Sequence, residues 1–254
     1  MDQQITIPAL EEVDLTNCDR EPIHLSGHIQ PHGVLLVVRE PELEILQVSE
    51  NTQDLLGVEP QSAIGRNLSL FFNRVQLKKL KLCLCNENLK TVNPIKLSVI
   101  NKGKYLEFDC ILHRVEEVLM VELELATSPE NLSVFSFYHS VRATVSKIQS
   151  AKNLNDLCQL TVEEVRKISG FDRVMVYQFD REGNGAVIAE DKAEKLSPFL
   201  GLNYPSSDIP KQARQLYALN WLRLIPDINY QPVPLVSGNN AVTTESRNLS
   251  FSVL

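Results

Sequence analysis

Leu106-Glu107-Phe108-Asp109-Cys110-Ile111-Leu112, followed by Val121-Glu122-Leu123-Glu124-Leu125, decides the class of the first half of the chain. Leu106, Phe108, Cys110 and Leu112 fall on one side and Glu107 and Asp109 on the other; Val121, Leu123 and Leu125 repeat this against Glu122 and Glu124. Side chains of a strand point alternately to opposite faces, so both stretches read as strands with an apolar face and a carboxylate face. Upstream, residues 33–38 and 43–48 read as short strands around the turn Arg39-Glu40-Pro41-Glu42. Residues 73–84 read as a helix, with Val75, Leu77, Leu80, Leu82 and Leu84 apolar and Lys78, Lys79 and Lys81 in water. Strands, small helices and then strands within so short a span predict an α+β domain.

Thr127-Ser128-Pro129-Glu130-Asn131 marks the boundary to a second domain. A helix is expected over 134–151. Asn153 then caps another that carries Leu154, Leu157, Val162, Val165 and Ile168, and Gly170 stops it. Residues 171–179 read as a strand, Arg181-Glu182-Gly183-Asn184-Gly185 as its turn, and 186–190 as the partner strand. Pro210 opens a helix running to about Trp221. Residues 226–248, rich in Pro and Asn, show little periodicity and read as a long loop of the kind that usually has a function.

Composition narrows the function classes. Hydrophobic residues at 43% and charged residues at 22% describe an ordinary globular chain. A net charge of −7 argues against coating nucleic acid, which calls for a basic face. The longest aliphatic run, Val34-Leu35-Leu36-Val37-Val38, is far too short for a bilayer, and Met1-Asp2-Gln3-Gln4 opens no signal peptide. A cytoplasmic protein without membrane or nucleic-acid partners is expected. Cys18, Cys83, Cys85, Cys110 and Cys158 match no disulfide framework, and the Cys83/Cys85 pair reads as thiols rather than a metal site. His24, His28 and His32 have the spacing of a metal-binding helical face, but Pro22, Gly27, Pro31 and Gly33 forbid the helix. Gly183-Asn184-Gly185 lies between two strands and reads as a hairpin, not a nucleotide loop. No catalytic constellation assembles, so no enzyme is expected within these residues.

Three motifs carry a resemblance. Cys18-Asp19-Arg20-Glu21-Pro22-Ile23-His24 with Gly27-His28-Ile29-Gln30-Pro31-His32-Gly33 resembles the opening of phytochrome PAS domains. Phe171-Asp172-Arg173-Val174-Met175-Val176-Tyr177, with Phe179 and residues 183–190, resembles the early strands of phytochrome GAF domains. Leu200 to Pro210, reading Leu-Gly-Leu-Asn-Tyr-Pro-Ser-Ser-Asp-Ile-Pro, resembles their P-A-S-D-I-P pocket motif, with Ser206 in place of Ala. Order and spacing agree from about Asp14 to the last residue.

The resemblance implies an α+β fold: a PAS domain and an incomplete GAF domain, each an antiparallel sheet flanked by helices, joined by a figure-of-eight knot. Residues 1–18 would be an extension, 19–128 the PAS domain, 129–152 a linker helix and 153–254 the GAF domain. Ile29 would sit at the crossing and 226–248 would form the lasso. It further implies biliverdin, a linear tetrapyrrole, attached covalently through Cys18, whose thiolate neighbouring cations such as Arg20 would favour. The main-chain carbonyl of Asp208, set by Ile209 held extended before Pro210, would accept from pyrrole N–H groups. Arg223 would bind a propionate with Tyr217 on the same side, and Tyr177, Tyr204 and Ile209 would be walls. A homodimer, and a kinase or response-regulator output in the longer protein, are the implied partners. The chain stops at Leu254 inside a stretch the family continues, which predicts an open, apolar GAF edge. A piece of a longer product and a shortened protein both remain open. So do a pigmented photosensor and a PAS–GAF interaction module that works by dimerisation without pigment.

Overall fold

The computed structural model describes residues 22–86, 88–126, 134–220, 222–238 and 247–254. In chain order the elements are β1 (His28–Ile29), β2 (Gly33–Arg39), β3 (Glu44–Ser49), α1 (Thr52–Leu56), α2 (Pro60–Ala63), α3 (Arg74–Leu84), β4 (Ile95–Asn101), β5 (Lys104–Val115) and β6 (Val118–Leu125). There follow α4 (Val134–Gln149), α5 (Leu154–Ser169), β7 (Arg173–Phe179), β8 (Gly185–Lys192), β9 (Asn203–Tyr204), α6 (Lys211–Leu219) and β10 (Val233–Ser237). Two compact units result, one from Pro22–Thr127 with Gln215–Leu254, the other including the described part of Ser128–Arg214.

The first unit is a seven-stranded antiparallel sheet in the order β1-β10-β3-β2-β6-β5-β4. Val34, Leu36, Val38, Phe108, Cys110, Leu112, Val121 and Leu123 face a core that includes Leu56, Ala63 and Leu80 of α1–α3. Leu35, Val37 and Met120 face the other way, onto Ile29, Leu235 and Leu249. The uninterrupted apolar run of β2 thus has a plain cause: both of its faces are covered. Each such large side chain contributes about 2 kcal/mol on burial.

α3 begins at a capping box. Asn73 Oδ1 accepts from the amides of Val75 and Gln76, both at 3.0 Å, while Gln76 Oε1 accepts from the Asn73 amide at 3.2 Å. The reading of its five apolar residues needs correction. Leu80 is buried and Leu77 and Leu84 pack against the core, but Val75 and Leu82 stand out in water. Residues 77, 80 and 84 share one helical face, whereas 75 and 82 lie a heptad apart on another.

One further expectation changes. The stretch 226–248, read as loop, contributes β10, which inserts between β1 and β3. Ile29, expected at the crossing with this stretch, lies opposite Val233. Gln47 Nε2 donates to Ser237 Oγ at 2.7 Å, fixing β10 against β3. Glu122, on the face of β6 opposite Val121 and Leu123, is fully buried. Residues 249–254 cover the face it points to, and Glu122 Oε2 accepts the Val253 amide at 2.9 Å. Burial first of all pushes its carboxyl up to about 7, the bonds from Val253 and Ser252 only partly opposing this. His113 Nε2 lies 3.5 Å from Glu122 Oε1, and burial lowers its imidazole to about 4. Desolvation shifts both toward the neutral form, so between about pH 4 and 7 the two face each other chiefly as neutral groups.

In the second unit, α5 packs Cys158 and Val162 on Ala189 of β8, with Val174, Val176 and Ile188 beside them. Asn153 caps α5 through the Asp156 amide at 2.9 Å, and Gly170 ends it at φ 72°, where a side chain would be strained. Glu164 on α5 bonds Lys167, Lys147 of α4 and Thr144 of α4; Lys167 leads in holding its carboxyl down to about 2. β7, β8 and β9 form an antiparallel sheet in that order, which leaves β7 at an edge among the described residues. Residues 183–185 close the β7–β8 hairpin, as their spacing predicts, with the Asp180 amide donating to the Asn184 carbonyl.

Candidate functional site

The register of β7 against β8 breaks between Val176 and Tyr177, an irregularity that re-aims the side chains that follow. Tyr177 then lies directly over Gly185: a Cβ on that glycine would come within 2.0 Å of the phenol ring. Only hydrogen fits there, so the glycine is what allows the ring its place. β9 pairs Tyr204 with Gly185 and brings its ring to 5.8 Å from that of Tyr177, inclined by 40°. Phe179 closes on Tyr177 at 5.1 Å, edge to face. Tyr177 and Tyr204 are half-buried, while Met175 and Phe179 are exposed apolar neighbours on the same strand.

The chain after Tyr204 turns at once. The Asp208 amide donates to the Pro205 carbonyl at 3.0 Å, and Pro210 leads into α6. This turn is fastened to the hairpin from two sides. Asn184 Oδ1 accepts the Ser206 amide at 3.1 Å, and Asn184 is itself held by Asp180. Arg214 Nη1 donates to the carbonyls of Ser206, Ile209 and Gly183. Burial, then the Asp208 carboxylate and Tyr204, raise the Tyr177 phenol above its ordinary value, with Arg214 opposing. At neutral pH that phenol is a proton-bearing donor.

A second fastening lies beside it. Glu190 Oε1 is 3.2 Å from Arg173 Nε, and Glu190 Oε2 accepts the amides of Phe199 and Leu200 at 2.9 and 3.0 Å. Arg173 also donates to the Ser197 carbonyl and stacks 3.7 Å over the Phe199 ring.

Of the residues expected at a site, Tyr177, Tyr204, Asp208, Ile209 and Pro210 come together in the second unit. Tyr217 and Arg223 belong to the first, both exposed. There Arg223 borders a cavity of about 40 Å³ with His24, His28, Leu216, Leu249 and Ser252. Among the described residues Arg223 makes no ion pair, so its guanidinium is available to a carboxylate. Cys18 lies outside the described residues. His24, His28 and His32 run through a 3-10 turn, a strand and the approach to β2, not a helix.

Arg214, Asn184, Arg173 and Glu190 were absent from the sequence-based selection. Arg214 leaves one faint trace, a cation near the start of a helix, where the helix dipole disfavours positive charge and a compensating set of carbonyls is called for. Together these groups can present two ring faces, a protonated phenol and a fixed run of backbone carbonyls to a flat ligand that carries N–H groups.

The PAS fold family matches residues 18–126. Cyanobacterial phytochrome B of Nostoc sp. is 50% identical over 98% of this chain and 33% of its own length. The bacteriophytochrome of Pseudomonas aeruginosa is 38% identical over 97% of this chain and 33% of its own. The chain therefore spans about a third of the length of these curated relatives. Among solved structures, the chromophore-binding domain of a Stigmatella aurantiaca phytochrome is 45% identical with a TM-score of 0.86, covering 94% of this chain and 78% of that one.

Proposed function

The chain belongs to the phytochrome family, and from that premise we propose that it is a light-sensing module that holds biliverdin covalently through Cys18. The observation that carries this is the pairing of the Tyr177 and Tyr204 rings beside a backbone turn fastened in place, in a chain 45% identical to a chromophore-binding domain. Within the second unit the residues fit such a group: ring faces for a flat apolar body and carbonyls for N–H groups. Bound pigment would supply the light absorption and double-bond isomerisation; the protein supplies attachment, orientation and electrostatics. In this reading Cys18 provides the thiolate and the Asp208 carbonyl accepts from pyrrole N–H groups. Ile209, held extended before Pro210, sets that carbonyl and is a wall with the two tyrosines. Arg223 takes a propionate, with Tyr217 on that side.

The domain order proposed is extension 1–18, PAS 19–128, linker helix 129–152 and GAF 153–254; packing instead groups residues 215–254 with 22–127. A kinase or response-regulator output would belong to a longer protein, and this module itself would be non-enzymatic and cytoplasmic. Among the described residues no helix is long and apolar enough to cross a membrane.

The test is to express the chain with biliverdin, record visible absorbance before and after red light, and look for zinc-induced fluorescence on a denaturing gel. A band present in the wild type and lost in Cys18→Ala is expected. A wild type that stays colourless would refute pigment binding, and a band that survives in the variant would refute the Cys18 linkage.

Dimerisation has its own observation. Leu154, Leu157, Val165 and Ile168 of α5 are all exposed, and with Thr161 they follow a 3-4-4-3 spacing along one helical face. We expect a homodimer through this stripe. Leu157→Lys should weaken it by at least tenfold in concentration, read by light scattering; an unchanged mass across the dilution series would exclude this surface.

A further inference from the structure

We propose that Arg214 is a positioning residue that presets the Pro205–Pro210 turn before any ligand arrives, and so fixes the carbonyl run that a bilin would meet; this second part rests on the functional reading above. A single guanidinium nitrogen, Nη1, collects three backbone carbonyls. It donates to Ser206 at 2.9 Å, to Ile209 in the same turn, and to Gly183 on the hairpin tip at 3.4 Å. The two turn carbonyls it holds, of Ser206 and Ile209, bracket those of Ser207 and Asp208, so fixing both limits the directions open to the pair between them.

At Nη2 and Cζ the guanidinium also lies against the hairpin tip. A Cβ on Gly183 would come within 3.0 Å of Nη2 and 3.1 Å of Cζ, which shows how closely the plane lies on that glycine. Gly183 sits at φ 89°, a conformation a side chain would resist, so the hairpin tip is shaped to accept the arginine. The Arg214 amide in turn donates to the Pro210 carbonyl at 3.1 Å. Backbone and side chain of one residue therefore tie both ends of the turn and the hairpin beneath it. Asn184 adds an independent tie through the Ser206 amide.

The chemistry distinguishes this role from anion binding. Charge-assisted bonds from a planar fork to several carbonyls fix direction, whereas a lysine ammonium offers charge without that geometry. Arg214, committed to carbonyls, is unlike Arg223, which pairs with no carboxylate among the described residues. A residue that merely supplied positive charge to a propionate would be replaceable by lysine; one that orients a turn would not.

The experiment uses the full chain as Arg214→Ala and Arg214→Lys beside the wild type. Hydrogen exchange is followed first without pigment, at the amides of residues 206–209. We expect exchange at least tenfold faster in both variants, with β2 and β6 unchanged. Equal exchange in wild type and variants would overturn the presetting role whether or not the wild type takes up pigment, which keeps this inference separable from the functional reading. Biliverdin is then titrated by absorbance. A loss of affinity of about tenfold or more in both variants is expected. A loosened turn with undiminished affinity, or full rescue by lysine, would overturn the positioning role.

Discussion

Glu122→Gln is expected to leave stability unchanged near pH 4 and to raise it by about 3 kcal/mol at pH 8. Glutamine imitates the protonated carboxyl: it keeps an oxygen for the Val253 amide and carries no charge into the sheet. The wild-type group has an ordinary unfolded value of 4.5 and a folded value pushed up to about 7, first of all by burial. A raised folded value means that its contribution is fully present below the unfolded value and is lost as pH rises through the folded one. Two and a half units at about 1.4 kcal/mol each give the size of the loss.

His113 acts in the opposite sense. Its folded value is lowered from 6.5 to about 4, so stability is lost as pH falls through that window. In the wild type the two slopes largely cancel between pH 4.5 and 6.5. Without Glu122 ionisation, the variant should show the histidine slope alone, with stability rising toward neutral pH. The other groups facing this site are Glu124, which raises the Glu122 value further, and Lys90, stacked on Phe251; neither changes between the two proteins. Urea unfolding at half-unit steps from pH 4 to 8 would show two diverging curves. Parallel curves would mean that Glu122 is not the neutral buried acid described here.

The burial of Glu122 follows from what covers it. Alternation reports which way a side chain points, and it correctly put Glu122 opposite Val121 and Leu123. It cannot report whether the other face is wet, because that depends on residues 249–254, far along the chain. The same blindness hid β10. Val233-Pro234-Leu235-Val236-Ser237 is short and contains a proline, which argues against a strand inside a sheet. Pro234 is tolerated because its partner β1 is only two residues long and because the proline's carbonyl still receives the Glu50 amide at 2.9 Å.

Local signals survived well where local physics decides. The Asn153 cap, the Gly170 stop and the 183–185 hairpin all depend on neighbours within a few residues. Tyr177, Tyr204 and the 208–210 turn were legible only through resemblance, since a tyrosine in a strand reads as core on its own. Arg214 was missed because its partners are backbone carbonyls, and no residue type advertises them.

Glu190→Ala is expected to cost about 3–5 kcal/mol, the range for removing one partner of a buried ion pair. Glu190 is 3% exposed in its side chain and Arg173 17%, so neither can fall back fully on water. The alanine would leave the amides of Phe199 and Leu200 without their acceptor, as well as the guanidinium without its carboxylate. Glu190→Gln separates these losses. It keeps an acceptor for the two amides and removes only the charge, so its cost should be roughly half. Arg173 retains the Ser197 carbonyl and the Phe199 ring in every case, which limits the damage to this loop and its strand. The measurement is denaturant unfolding by circular dichroism, joined to exchange at the Phe199 and Leu200 amides. If alanine and glutamine cost the same, the carboxylate charge carries the whole effect and the amide bonds add nothing. If neither costs more than about 1 kcal/mol, the pair behaves as an exposed one, and the 197–200 loop must be held by something other than Glu190.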